Sequence, residues 1–375
     1  MYAHRARGVE QEGTGPTRVN YLVTGGAGFV GSHLVDALVA RGETVTVLDD
    51  LSTGQLGNLN SAREAGRVDF VEGSTSDEAL VDELMASADA CFHLASAVGV
   101  QLIVDHAYDS LLSNVRGCDN VMHAAVRHGA RLLFTSTSEI YGKNSVGALA
   151  EDADRLLGPP QLSRWSYATA KVFGETLAFG LCENDAAKIT VTRLFNTTGP
   201  RQSGAYGMVL PRFVRQALDN RNLTVYGDGA QTRCFGHVSD TVRALILLID
   251  SEAAVGEVFN IGAGLEMPIV GLARRVVERT GSDSAIEFVP FDEAYGDGFE
   301  ELGRRKPDTS ALSKLTGWKA QLTVDDAIDD VIAYELAAER EPAASLAAVA
   351  GSTNGRRETN VRIASRFRPA EHTVD

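Results

Sequence analysis

A tyrosine and a lysine stand four residues apart, at Tyr167 and Lys171, inside a stretch of helical length, Tyr167–Glu183. That spacing is close to one helical turn, so both side chains fall on one face. An ammonium beside a phenol favours the phenolate and so prepares a base near neutral pH. The same ammonium can hold a ribose hydroxyl. Thirty residues earlier, Thr137, Ser138 and Glu139 follow the apolar run Leu132–Ser136. Hydroxyls and a carboxylate at the carboxyl end of a strand lie where an open α/β sheet binds its ligand. Taken alone, the same run also reads as a Ser/Thr-rich turn capping the next helix, with Glu139 satisfying backbone N–H groups at a helix start.

A third group of residues suits phosphate. Leu22–Gly31 reads LVTGGAGFVG, an apolar run ending at Thr24, then glycines at Gly25, Gly28 and Gly31 before a helical pattern. Gly25 suits the tight turn. Gly28 lets the backbone approach a pyrophosphate, and Gly31 lets the helix pack on the strand. Phe29 and Val30 open that helix, whose free N–H groups favour an anion. A strand-to-helix turn with no ligand is the plainer alternative. A second apolar run, Thr44–Leu48, ends at Asp49, about 20 residues past the turn, where a carboxylate binds the adenosine ribose hydroxyls. Asp49, with Asp50 beside it, would repel a 2′-phosphate, which predicts NAD over NADP.

The elements that must position these residues alternate. Strand-like runs at Val19–Thr24, Thr44–Leu48, Val68–Val71, Ala90–Leu94, Leu132–Ser136 and Ile189–Phe195 are separated by helical stretches such as Asp77–Ser87, Ser110–His128 and Tyr167–Glu183. Several are continuously apolar, as strands covered on both faces are. The pattern predicts an α/β fold, a Rossmann doubly wound parallel sheet with right-handed crossovers. After Phe195 the expected elements are helices at Val209–Asp219, Val238–Ser251, Ile269–Thr280 and Val324–Ala338, and short strands at Leu223–Tyr226, Glu257–Ile261 and Ala285–Val289. They read as a smaller C-terminal α/β lobe over the ligand edge. The expected organisation is a disordered leader over 1–17, an NAD-binding domain over 18–196, a substrate lobe over 197–340 interleaved with it, and a flexible tail over 341–375.

Composition sets limits. The 375 residues are 44% hydrophobic and 23% charged, which is ordinary for a chain with a full core. A net charge of −15 argues against nucleic acid or an anionic membrane as partner. An anionic substrate must then meet a local basic cluster. Four cysteines without a CxxC pair argue against a zinc site, so no metal is expected, and they read as reduced thiols in the cytoplasm. No apolar run has membrane-spanning length.

The sequence resembles the extended short-chain dehydrogenase/reductase family, in its nucleotide-sugar epimerase, dehydratase and decarboxylase branch. The resemblance runs from Val19 to Ala338. It rests on the glycine turn, LDDLSTG (Leu48–Gly54), TSTSEIYG (Thr135–Gly142), the Tyr167/Lys171 pair, RLFNTTGPR (Arg193–Arg201), VYGDGAQTR (Val225–Arg233), GHVSD (Gly236–Asp240), FNIG (Phe259–Gly262), RRKPD (Arg304–Asp308) and TGW (Thr316–Trp318). It implies that Tyr167 takes the proton of a sugar 4-hydroxyl, that Thr137 bonds the same oxygen, and that Lys171 holds the nicotinamide ribose. Ser52, Thr53 and Gly54 would lie near the adenosine phosphate, with Leu94 and Ala95 along the cofactor. Asn196, Arg233 and one of Arg304 or Arg305 would hold a sugar-nucleotide diphosphate, with Arg201, Val209 and Tyr226 in the same substrate site. Arginine suits that work because its planar fork donates paired bonds to phosphate. A homodimer formed through Ser110–His128 and Tyr167–Glu183 is also implied. There are departures. Gly73 is followed by Ser74 where an aspartate is frequent, Asp50 stands where an asparagine is frequent, and Tyr206–Val209 differs from UDP-glucuronate decarboxylases.

The resemblance implies one opening step, hydride transfer from sugar carbon 4 to NAD⁺, giving a transient 4-ketone. A carboxylate on carbon 5 then allows decarboxylation, a 6-hydroxyl allows dehydration, and rotation of the keto-sugar allows 4-epimerisation. Glu139 with Arg305 favours a UDP-glucuronate decarboxylase-like activity, with Ser138 where dehydratases acting on TDP-glucose carry an aspartate. UDP-sugar 4-epimerase and 4,6-dehydratase are the alternatives, and a non-catalytic NAD-binding regulator is the alternative of another class.

Overall fold

The computed structural model describes residues 18–97, 107–185, 187–204, 208–295 and 302–349. The expected leader over 1–17 and the tail from 350 onward lie outside the described residues, as do Tyr206 and Gly207. Seven parallel strands form the main sheet: β1 (Asn20–Thr24), β2 (Thr44–Asp49), β3 (Val68–Glu72), β4 (Ala90–His93), β5 (Arg131–Thr137), β6 (Ile189–Leu194) and Val258–Ile261. Their spatial order is Val258–Ile261, β6, β5, β4, β1, β2, β3. The order reverses beside β1, which opens a crevice at the carboxyl ends of β1 and β4.

Both faces are covered because the central strands are apolar on both. One face packs on α1 (Phe29–Ala40), and Leu34, Val35 and Leu38 are fully buried there. The other packs on α2 (Glu78–Met85), α3 (Ala107–His128) and α4 (Ser166–Asp185). Asp77 caps α2 by accepting from Leu80 N at 3.1 Å. The seventh strand corrects the sequence reading, which grouped Glu257–Ile261 with the smaller lobe. Val258–Ile261 instead pairs in register with Val191–Leu194 of β6. The helix before it, Val238–Ile249, packs with α1. A short strand flanked by turns carries no mark of which sheet it will join.

The smaller lobe has its own core. It is built on α5 (Val209–Leu218), β7 (Leu223–Tyr226), Ile269–Thr280 and Val324–Val349. β7 pairs in parallel with Ile286–Val289. The last helix continues past the expected boundary at 341 to Val349. Alanine-rich sequence there favours helix, whereas the absence of an amphipathic period suggested a tail. Two knots tie the lobe back to the sheet. Asp240 accepts from Gln321 N and Leu322 N while the Trp318 indole donates to its carbonyl. His237 pairs with Asp330 at 3.2 Å. These contacts explain why GHVSD and TGW are spelled as they are.

Candidate active site

One cavity runs from the glycine turn, across the ends of β4 and β5, to the smaller lobe. At the turn, Gly25 adopts φ +73°, and a Cβ there would lie 2.6 Å from Ala95 N. A Cβ on Gly31 would lie 2.1 Å from the Gly25 carbonyl oxygen, so the helix can sit this close only on glycine. Gly28 meets nothing but that carbonyl, at 3.2 Å, and leaves its surface to the cavity. Phe29, Val30, Leu94 and Ala95 line the same end. Asp49 ends β2 and accepts from Ala27 N and Leu51 N, both at 2.9 Å. Burial raises its pKa, with those N–H groups opposing. Asp50, Ser52 and Thr53 also line the cavity. Gly54 is not among the lining residues; it makes room for the Asp49 carboxylate, which a Cβ would approach to 2.8 Å.

At the centre, Thr137 closes β5 and caps the short 3₁₀ turn Ser138–Tyr141, accepting from Glu139 N at 3.2 Å. The capping role and the cavity-lining role therefore coexist in one residue. Glu139 does not cap. Its carboxylate pairs with Arg164 at 2.6 Å and with Arg305 at 3.7 Å. Burial works against its charge, yet Arg164 and then Arg305 prevail and hold it below the usual carboxylate range. Ser138 Oγ accepts from Arg305 Nη1 at 3.4 Å.

Tyr167 and Lys171 share one face of α4, and both line the cavity. Their electrostatics differ from expectation. Burial, and then the charge of Glu139, push the phenol above its ordinary value, while hydrogen bonds with Ser96 and Thr137 oppose. Lys171 is not among the groups that lower it. Its Nζ donates to the Thr135 carbonyl at 2.9 Å and lies 5.8 Å from the Tyr167 ring centre. Burial brings Lys171 itself down to about 8.

At the lobe end, register separates two adjacent arginines. Arg304–Arg305 pairs in parallel with Thr232–Arg233, placing Arg305 opposite Arg233. Side chains alternate across a strand. Arg305 and Arg233 face the cavity, whereas Arg304 turns outward to Glu266 at 2.6 Å. Asn196, at φ +37°, accepts from Arg305 Nη2 at 3.4 Å, and Val209 and Tyr226 line the wall. Arg201 is not among the cavity-lining residues; it pairs with Asp36 at 2.7 Å. Sequence reasoning passed over Ser96, Arg164 and Arg212, which line the cavity. Arg164 had a faint signal, lying three residues before Tyr167.

The NAD dependent epimerase/dehydratase family model matches residues 21–262. The chain is 38% identical over 314 residues to the UDP-N-acetyl-α-D-glucosaminuronate decarboxylase of Bacillus cytotoxicus, covering 84% of this chain and 96% of that one. It is 36% identical over 317 residues to UDP-glucuronic acid decarboxylase 1 of Xenopus tropicalis, covering 84% and 72%. The solved UDP-glucuronic acid 4-epimerase of Bacillus cereus, in complex with UDP-glucuronic acid and NAD, matches with TM-score 0.75 at 26% identity, over 84% of this chain and 98% of that one. A Rossmann sheet with a glycine cradle at its switch point defines a dinucleotide-dependent enzyme. The chain belongs to the NAD-dependent epimerase/dehydratase family, within the extended short-chain dehydrogenases, and NAD is its cofactor. The cavity fits that cofactor: the glycine cradle is one that a Cβ would fill, and the carboxylates of Asp49 and Asp50 line the same end.

Proposed function

We propose that the enzyme decarboxylates a UDP-linked hexuronate, UDP-glucuronate or its 2-acetamido analogue, through a transient 4-keto sugar. The observation that carries this reading is Arg305. It is a buried guanidinium at the reaction centre, beside Ser138 and within 3.7 Å of Glu139, on the cavity face of its strand. A cation so placed suits a carboxylate on sugar carbon 5. In this reading Tyr167 accepts the 4-hydroxyl proton, Thr137 bonds that oxygen, and Lys171 holds the nicotinamide ribose. NAD⁺, when bound, supplies the hydride acceptor for carbon 4 and later returns the hydride. The 4-ketone is β to the carboxylate, so the carbon–carbon bond breaks with its electrons entering the ketone as an enolate, and carbon dioxide leaves; carbon 5 then takes a proton from solvent, and Tyr167 gives its proton back to the 4-oxygen as the hydride returns to carbon 4. Glu139, kept ionised by Arg164 and Arg305, orders the centre. Ser138 is a poor acid for eliminating water, which counts against dehydration.

The test is incubation with UDP-glucuronate, its 2-acetamido analogue and NAD⁺, followed by mass spectrometry. A UDP-pentose, or its acetamido counterpart, with released carbon dioxide is expected. Products that keep all six sugar carbons would sink the reading. The second reading, 4-epimerisation of the same uronate, draws on the same cation and predicts unchanged mass. A homodimer through α3 and α4 belongs to this proposal, supported by Tyr108 at 72% and Phe173 at 39% exposure on those helices. So does a cytoplasmic location, supported by four free cysteines. Among the described residues, no helix is long and apolar enough to cross a membrane.

A further inference from the structure

The charges along the cavity are zoned. Among the described residues, its acidic lining residues are Asp49 and Asp50 beside the glycine turn and Glu139 at the centre, and the far wall carries Arg212 and Arg233 and no carboxylate. Arg212, on the first turns of α5, holds donors that no described residue satisfies. Its guanidinium stacks 4.2 Å from the centre of the Tyr226 ring and 5.4 Å from that of Phe213. Nε and Nη1 are shielded from solvent and meet no acceptor among the described residues. Burying charged donors without acceptors is costly, and a stacked aromatic face offsets only part of it. The planar fork, placed over Tyr226 and part of the cavity lining, suits oxygen atoms of an anion.

We infer that Arg212 is a substrate-binding residue that donates to the diphosphate of the sugar nucleotide, sharing that charge with Arg233. The inference rests on the nucleotide-sugar reading above. A diphosphate is favoured over the nucleobase because the unmet need is a negative charge, and a base edge offers only neutral acceptors.

Calorimetric titration of the NAD-loaded protein with UDP and with uridine tests it. Arg212→Met is expected to weaken UDP binding about 10- to 100-fold, as loss of a charge-assisted bond does, and to leave uridine within about twofold. Arg212→Lys, which keeps the charge and much of the stem, is expected to recover part of the loss. Unchanged thermal midpoint and NAD affinity show that the variants are folded; should the Met variant fail to fold, the Lys variant carries the comparison, with a smaller loss for UDP alone. Equal weakening of UDP and uridine, or no weakening of UDP, overturns the assignment. If wild type binds NAD but no UDP, the nucleotide-sugar reading fails with it; if wild type binds UDP and the variants match it, only the role of Arg212 fails.

Discussion

In the proposed mechanism Tyr167 is the base, and its surroundings resist its ionisation. Burial and the Glu139 carboxylate both oppose a phenolate. Replacing Tyr167 with Phe is expected to lower turnover by about 10²–10⁴-fold, the range for a lost acid–base group, while NAD affinity measured by fluorescence quenching stays near wild type. The paired arginines allow a sharper contrast. Arg305→Gln removes a buried cation and is expected to raise KM for the uronate at least about tenfold. Arg304→Gln breaks a solvent-screened pair with Glu266 away from the cavity and is expected to leave steady-state kinetics within about twofold. His93 sits beneath the site, its Nδ1 2.7 Å from Thr24 Oγ1. Burial, with the Lys171 charge second, pushes it down to about 3. The unfolded chain takes up that proton near the ordinary histidine value, so between there and about 3 the unfolded state holds the extra proton and stability falls as pH drops. Urea midpoints should decline from pH 7 to pH 5 more steeply in wild type than in His93→Gln.

The strand-to-turn junctions hold these groups in place. Tyr141, at the end of the Ser138–Tyr141 turn, donates to Asn260 Oδ1 and accepts from Arg193 Nη1, each at 2.8 Å. Arg193 on β6 in turn clasps Glu175 on α4, one turn beyond Lys171. The turn bearing Glu139 and the helix bearing Tyr167 are thus braced through one buried network. That network accounts for motifs that carried the family resemblance without a stated reason: YG, RLFN and FNIG supply its members. The glycine cradle is the other junction. Gly31→Ala would drive a Cβ into the Gly25 carbonyl. The expected cost is about 1–3 kcal/mol of overpacking and a clear loss of NAD affinity, read by thermal melts with and without NAD. The glycine spacing was legible in the sequence because each position answers to a local backbone need. The choice between Arg304 and Arg305 was not, because it depends on pairing with Thr232–Arg233, residues some seventy positions away.

In the proposed reading the two lobes divide the work: the parallel sheet offers its carboxyl edge to the cofactor, and the smaller lobe brings cations to the substrate. A chain of net charge −15 still presents Arg233, Arg305 and Arg212 to one cavity, so the local field there opposes the overall one. Assembly is the remaining property of the whole. In solution, light scattering is expected to give the mass of two chains, and Phe173→Glu, which puts a charge on the exposed face of α4, should shift the population toward one. A wild-type monomer at micromolar concentration would refute the dimer.

What the residues decided alone is whatever depends on neighbours a few positions apart: strand, turn and helix alternation, the phosphate cradle, the carboxylate at the end of β2, and Tyr167 with Lys171 on one helical face. What the tertiary structure decided depends on residues that meet across long loops. It placed Val258–Ile261 in the main sheet, turned Arg201 and Arg304 away from the cavity, and gave Glu139 to Arg164 and Arg305. Backbone preferences are local and leave their mark in short spacings, whereas ion pairs and sheet register are chosen only when distant segments compete for the same partner.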